Sequence, residues 1–218
     1  MFTISPSIYS ADIMNLGNVV KSLKDFEHLH IDIDDGNFVR GISFGMDVVN
    51  GVCEYTDIPV DVHLEVNNPM DYVDQLCASK IVMACSHVET LDFPSLFLSK
   101  MHKANKKAGL ALNIKTPISY LEPYIDQLDQ VIVVSVEADA DGLIFRKGIL
   151  NKVKQLRNLL PDACEIWVDG GVNKTNLKEV VKAGASGVVL GRAIFNEADP
   201  NKAYQDYLQL ARTYERNR

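Results

Sequence analysis

His28-Leu-His-Ile-Asp-Ile-Asp-Asp-Gly-Asn-Phe-Val39 is the stretch from which the fold can be read. Side chains alternate across a strand, so Leu29, Ile31 and Ile33 fall on one side and His28, His30, Asp32 and Asp34 on the other. Gly36 ends the extended run, which places His30 and Asp32 close to its C-terminal end. Val60-Asp-Val-His-Leu64 repeats the arrangement with His63, and Glu165-Ile-Trp-Val-Asp-Gly-Gly171 ends in Asp169. In parallel α/β folds, strand C-termini are where ligands are handled. Two imidazoles and two carboxylates at three such ends suit a metal ion. The donor mixture favours Zn, Fe, Mn or Co over Ca or a thiolate metal. Each residue alone has a plainer reading: a strand histidine is commonly a hydrogen-bonded core residue, and Asp169 before two glycines caps a turn. Together, four such groups are costly to bury without a partner.

Outward from that stretch, the same grammar recurs. Apolar runs at 2–8, 81–86, 108–113, 131–136 and 187–190 join the three above to give eight strands. Helical spacing follows each of them, at 15–23, 44–55, 70–78, 94–107, 116–128, 149–160, 177–183 and 203–212. Asp12 or Ser10 caps the first of these, Asn173 the seventh, and Pro69 stands where a missing N–H costs nothing. Continuous apolar strands alternating with helices imply a parallel sheet covered on both faces, and eight such units fit a (β/α)8 barrel. An open doubly wound sheet is the alternative, but the expected G-x-G-x-x-G after the first strand is missing.

The chain has 218 residues, 47% of them hydrophobic, enough for a substantial core, and no linker or charge block divides 1–218 into more than one domain. A formal charge of −7 argues against general nucleic-acid binding, which needs clustered Lys and Arg. Cys53, Cys77, Cys85 and Cys164 are scattered and read as reduced thiols. No basic, apolar leader opens the chain and no apolar run nears the ~20 residues of a membrane span. A soluble cytoplasmic protein is expected, assembling as a homo-oligomer and binding a small molecule, without nucleic acid or membrane partners. Ser7, His87, Asn113 and Gly191 also fall at strand ends; for His87 and Asn113, support of a ligand and plain turn chemistry both stay open.

Six segments carry a resemblance. Pro6-Ser-Ile-x-Ser-Ala-Asp12, His30-x-Asp-Ile-x-Asp-Gly-x-Phe-Val39, Pro59-Val-Asp-Val-His-Leu64, Leu112-Asn-x-x-Thr-Pro117, Val168-Asp-Gly-Gly-Val172 and Gly191-x-Ala-Ile-Phe195 resemble, in order, the signature segments of the ribulose-phosphate 3-epimerase family. The resemblance implies a TIM barrel of the ribulose-phosphate-binding type holding one divalent metal on His30, Asp32, His63 and Asp169. It implies 3-epimerisation of a ketose phosphate, ribulose 5-phosphate or a relative such as allulose 6-phosphate, through an enediolate with Asp32 and Asp169 as acid and base. Ser7, Gly142, Gly170, Gly171, Gly191 and Arg192 would then lie at the substrate.

Three departures from the family pattern stand out. Its apolar wall of methionines is replaced by Asp34, Glu65 and Val134. The added carboxylates either draw charge from the cation or turn outward onto Lys or Arg. The Gly-rich phosphate loop is replaced by Glu137-Ala-Asp-Ala-Asp-Gly142, whose three carboxylates repel a dianion. Arg192 stands where a serine is expected and can fork onto a phosphate in its place. These departures leave two further readings open, an epimerase or isomerase of an unphosphorylated ketose and a homologue that binds metal and sugar without turnover.

Overall fold

The computed structural model describes residues 1–137 and 144–216. Eight parallel strands are present: β1 (Thr3–Pro6), β2 (Leu29–Asp34), β3 (Val60–Glu65), β4 (Met83–His87), β5 (Lys107–Leu112), β6 (Gln130–Val134), β7 (Glu165–Asp169) and β8 (Gly187–Leu190). They pair in the order β1-β8-β7-β6-β5-β4-β3-β2. A parallel bridge between Ser7 and His30 brings the first strand back to the second. The sheet is therefore a nearly closed TIM barrel.

The helices are α1 (Leu16–Ser22), α2 (Met46–Tyr55), α3 (Val73–Ala78), α4 (Pro94–Lys103), α5 (Ile149–Leu159), α6 (Leu177–Ala183), α7 (Arg192–Phe195) and α8 (Pro200–Arg216). Some boundaries differ from the spacing for local reasons. The helix α4 stops at Lys103 because Asn105 turns left-handed, at φ 57°. Between β5 and β6 the expected helix is two 3₁₀ segments, Ile118–Tyr120 and Glu122–Gln127. Pro117 precedes the first segment, and Pro123 stands in the first turn of the second, where it lacks the N–H that a continuous α-helix would give to the Ser119 carbonyl. The expected Asn173 cap is a backbone contact, Leu177 N–H to Asn173 C=O, while the Asn176 side chain accepts from Asn173 N–H.

Period-two alternation sorts the strands into two cores. Outward residues such as Leu29, Ile31, Ile33 and Leu64 are buried under the helices, each contributing about 1.5–3 kcal/mol. Inward residues of β4 to β8, among them Cys85, Ile132 and Val189, gather around Trp167, which is wholly buried and donates its Nε1–H to Glu165 at 2.8 Å. Space for the indole comes from Gly187, where a Cβ would lie 2.6 Å from Trp167 Nε1. At the far side, α8 stacks Tyr204 on Phe26 at 4.1 Å and pairs Arg212 with Glu27 at 2.7 Å. The lumen is thus largely apolar on β4 to β8, apart from His87 on β4, Gln130 on β6 and Glu165 and Asp169 on β7. On β2 and β3 it is not.

Candidate active site

The strands β2 and β3 lie in register with His30 opposite Asp61, Asp32 opposite His63 and Asp34 opposite Glu65. All six residues belong to the inward parity, so a column of imidazoles and carboxylates faces the lumen. His30 and His63 are fully buried, and the side chains of Asp32 and Asp169 are 14% and 18% exposed. His30 Nε2 is 3.1 Å from Asp32 Oδ1, and His63 Nδ1 is 3.7 Å from Asp32 Oδ1 and 3.4 Å from Asp169 Oδ2.

Those spacings fit a metal ion. Donors held tetrahedrally at about 2.1 Å from an ion stand about 3.4 Å from one another. One donor atom from each of His30, Asp32, His63 and Asp169 lies within 4.8 Å of the others. Neither ring nitrogen of His63 has a hydrogen-bond partner, although the ring is buried. An unpartnered buried imidazole beside two carboxylates is a donor set that could hold a cation.

The surroundings orient these ligands. His30 Nδ1 is hydrogen-bonded to Asp61, which also accepts from Ser5 Oγ at 2.6 Å. This is the carboxylate–histidine arrangement that fixes ring orientation and tautomer at metal sites. Ser7 Oγ donates to Asp32 Oδ2 at 2.6 Å. Burial works to raise the carboxyls of Asp32 and Asp169, but the outcomes diverge. At Asp32 it is outweighed by the charge and hydrogen bond of His30 and by His63, and the carboxyl is held well below its ordinary range. At Asp169 burial prevails, with Asp32 adding to it, and the carboxyl is raised. Burial would lower His63, but the neighbouring carboxylates of Asp169 and Asp32 lift it to about 10. Asp61 is depressed to about 2, burial being overcome by His30, His28 and Ser5.

Two cavities meet at this cluster. A larger one, about 570 Å³, is lined by Ser7, Gly170, Gly171, Gly191, Arg192 and Asn173. A smaller one, about 160 Å³, is lined by Asp34, Glu65, Val134 and Val136. Tyr9, Asp32, Asp169 and Gly170 border both. Ser7, Gly170, Gly171, Gly191 and Arg192 are therefore brought together as the sequence suggests. Gly170 and Gly171 take φ of 96° and 64°, which glycine adopts at little cost. Gly142, with Asp139 and Asp141, lies outside the described residues. Glu137 is exposed and pairs with Arg146 at 3.3 Å.

Asp34 and Glu65 turn inward. Asp34 is 8% exposed and its carboxyl is pushed up to about 8 by burial, then by Glu65 and Asp32. His87 is fully buried, with Nδ1 3.1 Å from Glu89 Oε2, and its ring stacks on His63 at 4.9 Å. Asn113 is turn chemistry: its N–H donates to Glu89 and its carbonyl accepts from Lys152. Asp61 and Tyr9 were not singled out by the sequence reading. Asp61 shares the parity of His63, a signal that was available, but its pairing with His30 depends on strand register.

Fold and site together define a (β/α)8-barrel enzyme whose C-terminal rim carries a histidine–aspartate cluster that could hold a metal ion. Residues 3–195 match the ribulose-phosphate 3-epimerase family. The ribulose-phosphate 3-epimerase of Bacillus subtilis (strain 168) is 32% identical over 212 residues, 94% of this chain and 98% of that one. The chloroplastic ribulose-5-phosphate-3-epimerase of Arabidopsis thaliana is 34% identical over 203 residues, 90% of this chain and 72% of that one. The chain belongs to the ribulose-phosphate 3-epimerase family, and is an isomerase of the carbohydrate-epimerase kind. In fold alone it is similar to orotidine 5'-phosphate decarboxylase from Pyrococcus horikoshii OT3, with TM-score 0.69 and 16% identity, covering 96% of this chain and 99% of that one. It is likewise similar to thiamine phosphate pyrophosphorylase from Pyrococcus furiosus, with TM-score 0.65 and 14% identity, covering 98% and 96%.

Proposed function

We propose that this chain is a metal-dependent 3-epimerase of a ketose phosphate, ribulose 5-phosphate or a six-carbon relative such as allulose 6-phosphate. The observation that carries the reading is the His30, Asp32, His63 and Asp169 cluster at the junction of two cavities. A divalent ion held there, Zn, Fe, Mn or Co, supplies the positive charge that makes a carbon acid beside a carbonyl more acidic. Asp32 and Asp169 approach that junction from β2 and β7. One removes the proton from C3, giving an enediolate, and the other delivers a proton to the opposite face, which inverts the centre. The roles exchange with reaction direction. Ser7 keeps the Asp32 carboxylate aimed by donating to Oδ2. Arg192 and the glycine backbone at 170, 171 and 191 line the larger cavity, where a guanidinium can fork onto phosphate.

Glu137, an exposed carboxylate just past the end of β6 where a phosphate loop is expected, favours a second reading, an epimerase of an unphosphorylated ketose. One experiment separates them. Deuterium uptake at C3 is followed by NMR in D2O for ribulose 5-phosphate, allulose 6-phosphate and the unphosphorylated ketoses. Uptake confined to the phosphorylated sugars is expected, falling about 10²–10⁴-fold in Asp32→Asn and in Asp169→Asn. Near wild-type uptake in either variant refutes the two-base scheme, and uptake only with unphosphorylated sugars selects the second reading.

A further inference from the structure

The cluster just described accounts for one of the two ring nitrogens of His63. Its Nδ1 faces Asp32 and Asp169, and its Nε2 remains buried without a hydrogen-bond partner. Two more buried atoms nearby share that condition, His87 Nε2 and Asp34 Oδ1. Glu65 connects them. Its Oε1 is 3.5 Å from His87 Nε2, out of hydrogen-bond alignment, and its carboxyl lies beside that of Asp34. One donor atom from each of His63, Glu65 and His87 falls within 4.8 Å of the others. Buried donors and acceptors are nearly always satisfied, and while Asp34 can share a proton with Glu65, the two orphan ring nitrogens beside that carboxylate call for a missing partner.

A second observation points the same way. In the first cluster His30 presents Nε2 while Asp61 holds Nδ1. His87 repeats this: Glu89 holds Nδ1, with its own carboxylate anchored by Thr116 Oγ1 and the Asn113 N–H, and Nε2 is left open toward Glu65. Carboxylates placed behind imidazoles in this way are characteristic of metal ligands.

We propose that Glu65 and His87, with His63 Nε2 and the Asp34 carboxylate, form a second divalent-cation site beside the first. The nitrogen and oxygen donors suit the same class of ion, Zn, Mn, Co or Fe. When both sites fill, His63 spans the two ions and releases its remaining ring proton to solvent. The second cation would also offset the charge of Glu65, which with Asp34 borders the smaller cavity where charge develops in the reaction. The inference rests on the proposed function only in sharing His63.

The test is metal stoichiometry on the full chain. Protein stripped with a chelator is dialysed against micromolar Zn(II), and bound zinc per chain is measured for wild type, His87→Gln and Glu65→Met, with far-UV circular dichroism reporting folding. Two equivalents in wild type and one in each folded variant are expected; if one variant does not fold, the other carries the comparison. One equivalent in wild type overturns the second site and leaves the first standing. No bound zinc overturns both. Two equivalents retained in the variants place the additional ion elsewhere, on surface groups such as His102 and Asp129, and overturn the assignment.

Discussion

Asp61→Asn tests the claim that a buried carboxylate behind His30 sets the quality of the metal centre. The substitution keeps the shape. An asparagine oxygen still accepts from His30 Nδ1, and the Ser5 hydroxyl, which donates to Asp61 Oδ2 at 2.6 Å, can rotate to accept from the new amide. What disappears is charge in a site where Asp61 is 1% exposed. A hydrogen bond to a charged group contributes about 1.5–3 kcal/mol against about 0.5–1.5 for a neutral one, so the loss is on the order of 1.5 kcal/mol. Carboxylates in this position typically account for about 10–100-fold in metal affinity, which is the same range. The dissociation constant for Zn(II) or Mn(II) is therefore expected to rise about 10–100-fold, measured by competition with a chromophoric chelator. Fluorescence of Trp167, the single tryptophan, monitors integrity, since it lies in the lumen beneath the site. Unchanged affinity in a folded variant would refute the idea that Asp61 acts through His30.

Chelating the metal from the native protein is expected to lower the unfolding temperature, because His63 is then buried without partners; addition of the ion restores it, and equal midpoints with and without metal would contradict the site. Gly109→Ala is expected to destabilise by about 3 kcal/mol or more, or to prevent folding, since the added Cβ would lie 2.5 Å from the Gln130 carbonyl; a shift in urea midpoint under 0.5 kcal/mol would show the lumen to be looser than described. Glu89 sits at about 2: burial would raise it, but His87, Thr116 and the Asn113 amide overcome that. A carboxyl depressed in the folded state stabilises above its ordinary pKa, near 4.5, and that contribution is lost as pH falls from there toward 2. Glu89→Gln should therefore flatten the fall of stability below pH 4.5, by about 3 kcal/mol at most, as read by urea titrations at several pH values; parallel wild-type and variant profiles would contradict it.

Strand parity made much of this legible in advance. The period of two in His28 to Asp34 assigns Leu29, Ile31 and Ile33 to the outer core and His30, Asp32 and Asp34 to the lumen, and the structure follows it. The same parity sends Glu65 inward with His63, so an outward turn for Asp34 or Glu65 would have required a break in the strand that is not there. Register was beyond reach. Asp61 meets His30, and Glu89 meets His87, only once neighbouring strands and loops are aligned, and single-chain periodicity carries no such information. Local chemistry also prevailed over pattern between β5 and β6, where Pro123, lacking an N–H, interrupts an apparently helical stretch that forms 3₁₀ turns instead. Metal-type residues were visible by kind and by position; the residues that hold them in place were not.

Seven of the eight joins in the sheet are ladders of three to six residue pairs, while β1 and β2 meet at one bridge, Ser7 to His30. Ser7 also donates to Asp32, so the thinnest seam of the wall ends on a residue that holds one of the candidate metal-binding carboxylates in place. An ion shared by Asp32 on β2 and Asp169 on β7 would cross-link the strands on either side of that seam, so loading the site is expected to stiffen the weakest part of the wall.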